Sequence, residues 1–280
     1  MIYIVSNKKG GSGKSFFAGH LLPEHIRRKG KQERVKLFEF DEHSRTSENY
    51  LRKSLFVDSE VVYEENMQEK IFGASFDAKK EDVIIDIGAG ATLKKIIETA
   101  EATFGLDELV FVVPYSDDSS ITLDETVKLI EEYIPFPKIL IAINRIPFDG
   151  FSLENAKKVA IDLFGSEKYN LPASPVLKKV SKYIKAAIPQ VHVLTVFSRS
   201  ENASLVDLKQ RYILSQDLDT DGLVAVWKEE GLIAGEQPTR EEYIKNMGNL
   251  QRQLEASRFL DECSEFYDSL LELENSKIKK

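Results

Sequence analysis

The stretch Met1-Ile-Tyr-Ile-Val-Ser-Asn-Lys-Lys-Gly-Gly-Ser-Gly-Lys-Ser-Phe16 decides how the rest of the chain is interpreted. Residues Ile2 to Val5 form a short apolar run of β-forming residues, and residues Lys8 to Ser15 form a glycine-rich turn. The residues from Phe16 to Arg28 have the length and composition of a helix. A strand, a glycine-rich turn and a helix in this order predict a phosphate-binding loop.

The residue types of this turn suit a triphosphate, which is a cluster of anionic oxygens. Gly10, Gly11 and Gly13 lack a Cβ, so the backbone can wrap closely around the phosphates and point its N–H groups inward. The helix that begins near Lys14 adds unpaired N–H groups and the positive end of its dipole. Lys14 is predicted to reach the β- and γ-phosphates, and Ser15 to place its hydroxyl on Mg²⁺.

The turn departs from the common loop G-x-x-x-x-G-K-[ST], because Lys8 stands where the first glycine is usual. The segment Lys9-Gly-Gly-Ser-Gly-Lys-Ser15 resembles the deviant Walker A loop of the ParA/MinD family of ATPases, K-G-G-x-G-K-[ST], within the SIMIBI class of P-loop NTPases. The resemblance implies ATP and Mg²⁺ as ligands and a homodimer bridged by ATP, in which Lys9 reaches the partner's nucleotide. The nucleotide-binding residues that it implies in the loop are Lys9, Gly10, Gly11, Ser12, Gly13, Lys14, Ser15 and Phe16.

The composition is that of an ordinary globular protein, with 280 residues, 42% of them hydrophobic and 30% charged. Cys263 is the single cysteine, so an internal disulfide is excluded and a reducing compartment is indicated. The net charge of −8 argues against a wholly basic, nucleic-acid-binding surface but not against a local basic patch. No apolar run approaches the roughly 20 residues that span a bilayer, and no signal-peptide pattern precedes the first strand. We expect a cytoplasmic protein without a membrane anchor.

Apolar runs alternate with helical patterns along the chain, which predicts an α/β fold. Continuous apolar runs favour a predominantly parallel, doubly wound sheet with helices on both faces. The predicted strands after the first are 34–40, the run before Asp86, 109–114, 138–144 and 191–197, with a candidate edge strand at 60–65. The predicted helices are 46–55, 93–103, 121–133, 151–164 and 175–188, and residues 70–80 are interpreted as a connection. We expect one domain over residues 1–280, in which 205–280 is a mainly helical extension with one long helical pattern from 241 to 274.

Two carboxylates at the ends of predicted strands are candidates for binding Mg²⁺ and for positioning water at the γ-phosphate. Asp86 ends an apolar run in the Walker B pattern, which predicts a carboxylate in the Mg²⁺ shell, through water. Its alternative is a plain strand that ends in a turn. Glu39 and Asp41 hold the places of the acidic pair of the resembled family, which implies that Asp41 positions the attacking water. For Asp41 the alternative is a solvated acidic loop or a helix N-cap. The catalytic set implied is Lys9, Lys14 and Asp41.

Asn144 helps to distinguish an adenine nucleotide from a guanine nucleotide as the ligand. A GTPase carries N-K-x-D at this place, whereas this chain continues Asn144-Arg-Ile-Pro147 and has no aspartate there. In the ParA/MinD family the matching asparagine contacts adenine, so the resemblance favours ATP. The alternative is an asparagine that closes a strand through turn chemistry.

A lysine-rich segment is the candidate nucleic-acid interface. Spacings of three and four would place most of these side chains on one face of a helix, as a patch for the phosphate backbone. The alternative is a solvated helix face. Arg199, in a segment loosely like a loop of the resembled family, is a further candidate. The complete DNA set is Lys178, Lys179, Lys182, Lys185 and Arg199.

The leading functional hypothesis from this resemblance is a ParA-type switch for plasmid or chromosome partition. Its ATP-bound dimer would bind non-specific DNA on the nucleoid, and a ParB-like partner protein would trigger hydrolysis and release. The second hypothesis is a spatial regulator or conjugation accessory ATPase that acts through a protein partner without DNA. The third is a metabolic ATP-dependent ligase or kinase. Nitrogenase-type reductases are excluded, because they need two cysteines per subunit for their shared cluster.

Overall fold

The computed structural model describes residues 1–30, 32–40, 50–78, 80–87, 92–103, 108–116, 120–146, 158, 160–189 and 192–276. In this part of the chain seven strands form one sheet in the order β3-β2-β4-β1-β5-β6-β7, and every neighbouring pair is parallel. The strands are β1 (Ile2–Ser6), β2 (Val35–Phe40), β3 (Val57–Val61), β4 (Val83–Ile87), β5 (Leu109–Tyr115), β6 (Lys138–Ile146) and β7 (Ile184–Pro189). The predicted parallel α/β fold is confirmed.

Helices cover both faces of this sheet. Along the first part of the chain they are α1 (Lys14–Phe16), a π-helical segment (Phe17–Leu21), α2 (Leu22–Arg28), a 3-10 turn (Glu64–Asn66), α3 (Met67–Ala78), α4 (Thr92–Thr103) and α5 (Ser120–Tyr133). The later helices are α6 (Ile161–Phe164), α7 (Pro175–Lys179), α8 (His192–Glu201), α9 (Leu205–Ser215), α10 (Thr220–Glu229), α11 (Arg240–Glu262) and α12 (Ser264–Asn275). Among the described residues, none of these helices combines the length and the apolar character needed to cross a bilayer.

The alternation of β1 side chains between two cores sets the two layers. Ile2 and Ile4 join the core under α3, α4 and α5, whereas Tyr3 and Val5 join the core under α2, α8, α9, α11 and α12. Both cores are made of fully buried aliphatic and aromatic side chains, which a sheet buried on both faces requires. The central position of β1 places its carboxyl end, and the glycine loop after it, in the middle of the sheet edge.

Several predicted elements are wrong. The connection predicted over 70–80 is helical as far as residue 78, where α3 ends, and this helix buries Met67, Ile71 and Ala74 against the sheet. The helix expected over 175–188 is instead the short α7 and the strand β7, which pairs with β6 from Ile184 onward. The strand expected over 191–197 is helix α8. The physical reason is tertiary, since pairing with the edge of β6, rather than residue preference, makes Ile184–Pro189 the last strand.

The candidate edge strand exists but lies at Val57–Val61 rather than at 60–65. The long pattern from 241 to 274 is two helices, α11 and α12, which meet at Cys263. Of the helix predicted over 46–55, residues 46–49 lie outside the described part of the chain, Tyr50 and Leu51 are helical, and the helix does not continue to residue 55. Of the helix predicted over 151–164, residues 151–157 and 159 lie outside the described part, and residues 161–164 form the short α6.

Candidate functional site

The glycine loop follows β1 at the carboxyl edge of the sheet, and its backbone needs glycine at two points. Gly11 has a φ of +72° and Gly13 a φ of +98°, both in the left-handed region that favours glycine. From Gly13 the chain turns into α1, and the N–H groups of Phe16 and Phe17 donate to the Gly13 carbonyl at 3.0 and 3.2 Å. The strand, loop and helix therefore stand in the arrangement that binds phosphate through N–H groups and the helix dipole.

Contacts from β5 and α5 hold the start of the loop. Asn7 is completely buried; its side-chain amide donates to the carbonyl of Pro114 at 2.5 Å, and its Oδ1 accepts from the N–H of Lys9 at 2.8 Å. The N–H of Lys8 donates to Thr126 Oγ1 at 3.3 Å, and Lys8 Nζ forms an ion pair with Glu125 at 3.3 Å. Neither residue stands out in the sequence, because short polar residues such as Asn7 are common beside a glycine turn and Thr126 lies within an ordinary helical pattern.

The two lysines of the loop are connected through its backbone. Lys14 Nζ donates to the carbonyl of Lys9 at 3.1 Å, so the amine lies across the mouth of the loop. This is the place where an amine would meet phosphate oxygens. Both side chains are partly buried. The loop thus holds the amine of Lys14 against the backbone of Lys9, the second lysine that the motif predicts for phosphate binding.

Asn144 at the end of β6 contacts the same loop. Its amide donates to the Ser12 carbonyl at 3.1 Å, and both residues are buried. A Cβ on Gly13 would lie 2.2 Å from Asn144 Nδ2, so the asparagine and the glycine fit against each other. The structure therefore gives Asn144 a role in holding the phosphate loop, whereas its predicted contact with adenine stays a prediction.

The carboxylates that face the loop come from two neighbouring strands. Asp86 on β4 lies beside Val5 on one side and beside Glu39 on the other. Side chains at matching positions of parallel neighbours point to the same face, which here is the face that carries α1. Asp86 and Glu39 are almost completely buried. Asp41, the predicted water-positioning residue, lies outside the described residues.

The oxygen ligands present suit Mg²⁺. Ser15 is the second residue of α1 and supplies a hydroxyl, and Asp86 supplies a carboxylate from β4, the strand beside β1. Hydroxyl and carboxylate oxygens, together with water and phosphate, are the ligands that Mg²⁺ takes in nucleotide sites. The described residues therefore fit the predicted metal, with Glu39 as a second buried carboxylate beside Asp86.

A π-helical turn follows α1 at Phe17–Leu21, and residues at the start of α9 form hydrogen bonds with this buried segment. Ser204 Oγ donates to the Gly19 carbonyl at 2.8 Å, and the N–H of Leu205 donates to His20 Nδ1 at 3.3 Å. Burial lowers the pKa of His20 to about 3, and the positive charge of Arg199 acts in the same direction. His20 is therefore neutral at physiological pH and serves as an acceptor. Such turns interrupt helices at functional positions.

The candidate DNA residues are dispersed by the fold. Lys178 and Lys179 lie on α7, Lys182 lies in the following turn, and Lys185 lies on β7, so they do not share a helix face. Lys179 binds Asp124 at 3.1 Å and Lys182 binds Glu131 at 2.8 Å.

Lys185 and Arg199, the last two residues of the candidate DNA set, also contact other groups of the protein. Lys185 Nζ donates to the carbonyls of Val180 and Tyr183 at 2.9 Å each, and burial lowers its pKa. The guanidinium of Arg199 lies over the ring of Tyr50, 4.5 Å from its centre. The expected one-faced basic helix is therefore absent from the part of the chain described here.

Comparison with solved structures agrees with this architecture. The MinD cell division protein of Aquifex aeolicus is similar over 99% of this chain and 98% of its own, with a TM-score of 0.51 and 14% sequence identity. A plasmid partition protein from Borrelia burgdorferi matches 72% of this chain and 96% of its own, with a TM-score of 0.42 and 15% identity. Cobyrinic acid a,c-diamide synthase from Mycobacterium smegmatis, with bound ADP and magnesium, matches 77% and 96%, with a TM-score of 0.39 and 14% identity. No protein-family model and no curated protein matches the sequence.

Proposed function

We propose that this chain, a P-loop NTPase of the ParA/MinD type by its fold, is an ATP-dependent dimerising switch ATPase. The observation that carries the proposal is the loop itself, in which Lys14 and Lys9 are joined across the mouth of a glycine cradle. One lysine suffices for an ordinary phosphate-binding loop. A second lysine at this place supports a role at the nucleotide of a partner subunit, because it adds a cation beyond those that one site needs.

The residues around the loop divide the work of hydrolysis in this proposal. Lys14 and the loop N–H groups hold the phosphates, and Lys9 stabilises the charge that develops on the γ-phosphate of the partner. Ser15 and Asp86 would hold Mg²⁺, which when bound neutralises phosphate charge. Asp41 orients the attacking water. We expect slow hydrolysis by the protein alone, as suits a switch whose partner protein sets the time of release.

The output of the switch has two candidate forms. The first form is plasmid or chromosome partition through binding of non-specific DNA, and the loop motif supports it. The second is action through a protein partner without DNA. Three observations favour the second form: the net charge of −8, the ion pairs of Lys179 and Lys182, and the half-buried amine of Lys185, which is bound to backbone carbonyls. A phosphate backbone would have to displace those carboxylates before the lysines could bind it.

Lys9→Ala and Lys8→Ala form a matched pair that tests the switch. Both remove one lysine from the same loop, but Lys8 bonds to α5 and only Lys9 is assigned to the partner's nucleotide. With a non-hydrolysable ATP analogue, sedimentation should show dimers for the wild type and for Lys8→Ala and monomers for Lys9→Ala. Dimers in all three proteins would overturn the proposal. A monomeric protein that turns over ATP rapidly with a small acceptor would support the ligase or kinase hypothesis instead.

DNA binding is tested on a trapped dimer. Asp41→Ala should bind ATP and hydrolyse it slowly, so its retention on non-specific double-stranded DNA can be measured at two salt concentrations. Retention that needs ATP and falls with salt would support partition and direct attention to Lys178 and Arg199. A confirmed ATP-bound dimer that is not retained would exclude the DNA form and leave the protein partner.

A further inference from the structure

We propose that Asn7 is the positioning residue for Lys9, and that it fixes the lysine by joining the phosphate loop to the end of β5. This inference rests on the proposed function, because it concerns how the lysine is presented to a partner's nucleotide. The group of contacts is called the Asn7 bridge and consists of Asn7, Lys9 and Pro114. Asn7 belongs neither to the phosphate-binding glycines nor to the lysines of the motif.

The two ends of the Asn7 side chain face different elements, and their chemistry defines the orientation. The N–H of Lys9 can only donate, so the atom that meets it at 2.8 Å is the carbonyl oxygen Oδ1. The carbonyl of Pro114 can only accept, so the atom at 2.5 Å is the amide nitrogen Nδ2. An asparagine fits both partners at once, whereas an aspartate or a leucine of similar size would satisfy at most one.

The bridge acts on the backbone of Lys9 rather than on its side chain. The N–H of Lys9 is held by Asn7, while its carbonyl accepts from Lys14 at 3.1 Å. When Lys14 turns toward phosphate it gives up that carbonyl, which belongs to the peptide between Lys9 and Gly10, and Asn7 still holds the preceding peptide between Lys8 and Lys9. The direction in which the Lys9 side chain leaves the loop would then be set from β5. Complete burial of Asn7 keeps water from competing for either bond.

A second contact ties the neighbouring residue to the same side of the sheet. Thr126 on α5 is completely buried, and its Oγ1 accepts from the N–H of Lys8 while it donates to the Thr122 carbonyl at 2.7 Å. The N–H of Lys8 is thus hydrogen-bonded to α5, and the N–H of Lys9 is linked through Asn7 to β5. Movement of either element would therefore change the direction of Lys9.

Asn7→Ala and Asn7→Ser test the bridge, with Asn246→Ala as the matched control. Serine can still accept from an N–H two residues later, although more weakly, whereas alanine cannot. Asn246 is likewise a buried asparagine, but it bonds to Leu232 in the C-terminal helices. Each protein is measured for binding of an ATP analogue as a monomer, for ATP-dependent dimerisation and for its urea midpoint.

The expected result is a graded loss of dimerisation without a matching loss of nucleotide affinity. Asn7→Ala should weaken ATP-dependent dimerisation about tenfold, the factor that one buried hydrogen bond commonly controls, and Asn7→Ser should weaken it less. Nucleotide affinity should stay within about threefold. Asn246→Ala should lower the urea midpoint and leave dimerisation unchanged.

Two results would overturn the inference, and each is distinct from failure of the proposed function. If Lys9→Ala abolishes dimers while Asn7→Ala dimerises like the wild type, the bridge does not position the lysine. If Asn7→Ala lowers nucleotide affinity and dimerisation by equal factors, Asn7 supports only the general shape of the loop. Dimers that persist in Lys9→Ala would instead refute the switch itself.

Discussion

Replacing Gly13 with alanine should damage the phosphate loop in two separate ways. A φ of +98° lies in the left-handed region, where a residue with a Cβ loses roughly 1–2 kcal/mol. The added Cβ would also lie 2.2 Å from Asn144 Nδ2, so the asparagine must withdraw from the Ser12 carbonyl, at a cost of about 1–2 kcal/mol for the buried acceptor left behind. We expect the free energy of unfolding to fall by about 2–4 kcal/mol.

Gly10→Ala is the matched control, because Gly10 has no positive φ and a Cβ there would meet no atom within 4 Å. Urea unfolding followed by circular dichroism measures both variants, and Gly10→Ala should unfold like the wild type. A double variant with Asn144→Ala separates the two costs of Gly13→Ala. Removing the Asn144 amide relieves the contact but leaves the strained φ, so the double variant should be more stable than the sum of the two single effects predicts.

The result that would refute this reasoning is additivity. If Gly13→Ala and Asn144→Ala lower the free energy of unfolding independently, the contact between the two residues does not limit the substitution. Equal loss in Gly10→Ala and Gly13→Ala would likewise show that neither the left-handed backbone nor the asparagine matters at this loop.

Three further predictions concern buried ionisable groups. Glu24→Gln should lower the free energy of unfolding, measured in urea, by about 3 kcal/mol, because Glu24 is fully buried and accepts from Lys209 at 2.9 Å. The control Glu236→Gln changes an exposed carboxylate and should have no measurable effect. Equal effects of the two substitutions would contradict the prediction. Burial opposes ionisation of Glu274, but hydrogen bonds from other side chains outweigh burial and lower the pKa of Glu274 to about 2. The stability that the ionised carboxylate adds is therefore present above about pH 4.5 and lost toward pH 2. The wild type should therefore exceed Glu274→Gln by about 2 kcal/mol at pH 6 and by nearly nothing at pH 2, and a constant difference would count against the ionised carboxylate. Burial raises the pKa of the Cys263 thiol, so iodoacetamide should modify the folded protein at least about a hundredfold more slowly than the denatured one, and rapid labelling of the folded protein would refute its burial.

Local sequence predicted the elements whose signals are complete within a short stretch. The strand before the loop, the glycine-rich turn and the helix after it follow from residues 1–28, and the structure contains all three. The buried strands β2, β4, β5 and β6 were likewise evident, because continuous apolar runs between turn signals have few alternatives. Asp86 was identified as a strand-end carboxylate from the same kind of run.

Short mixed segments could not be assigned without their neighbours. Ile184–Pro189 carries lysine and alanine, which suit a helix, yet it completes the sheet because its backbone pairs with β6 from Leu140 onward. His192–Glu201 is rich in β-branched residues, yet it is a helix that buries Leu194 and Phe197 and leaves Val196 exposed. Pairing with β6 decided the strand and burial of one helix face decided the helix, in both cases against residue preference.

The sequence by itself determined the phosphate loop and the chemistry that the loop can support, because a strand, a glycine turn and a helix follow from contacts between residues close in the chain. It also determined the parallel sheet, because continuous apolar runs alternate with helical patterns. Only the tertiary structure decided how the loop is held. The contacts of Asn7 with Pro114, of Lys8 with Thr126 and of Asn144 with Ser12 join residues more than 100 positions apart. A hydrogen bond depends on atoms within about 3 Å of each other, and folding alone brings such distant residues to that separation.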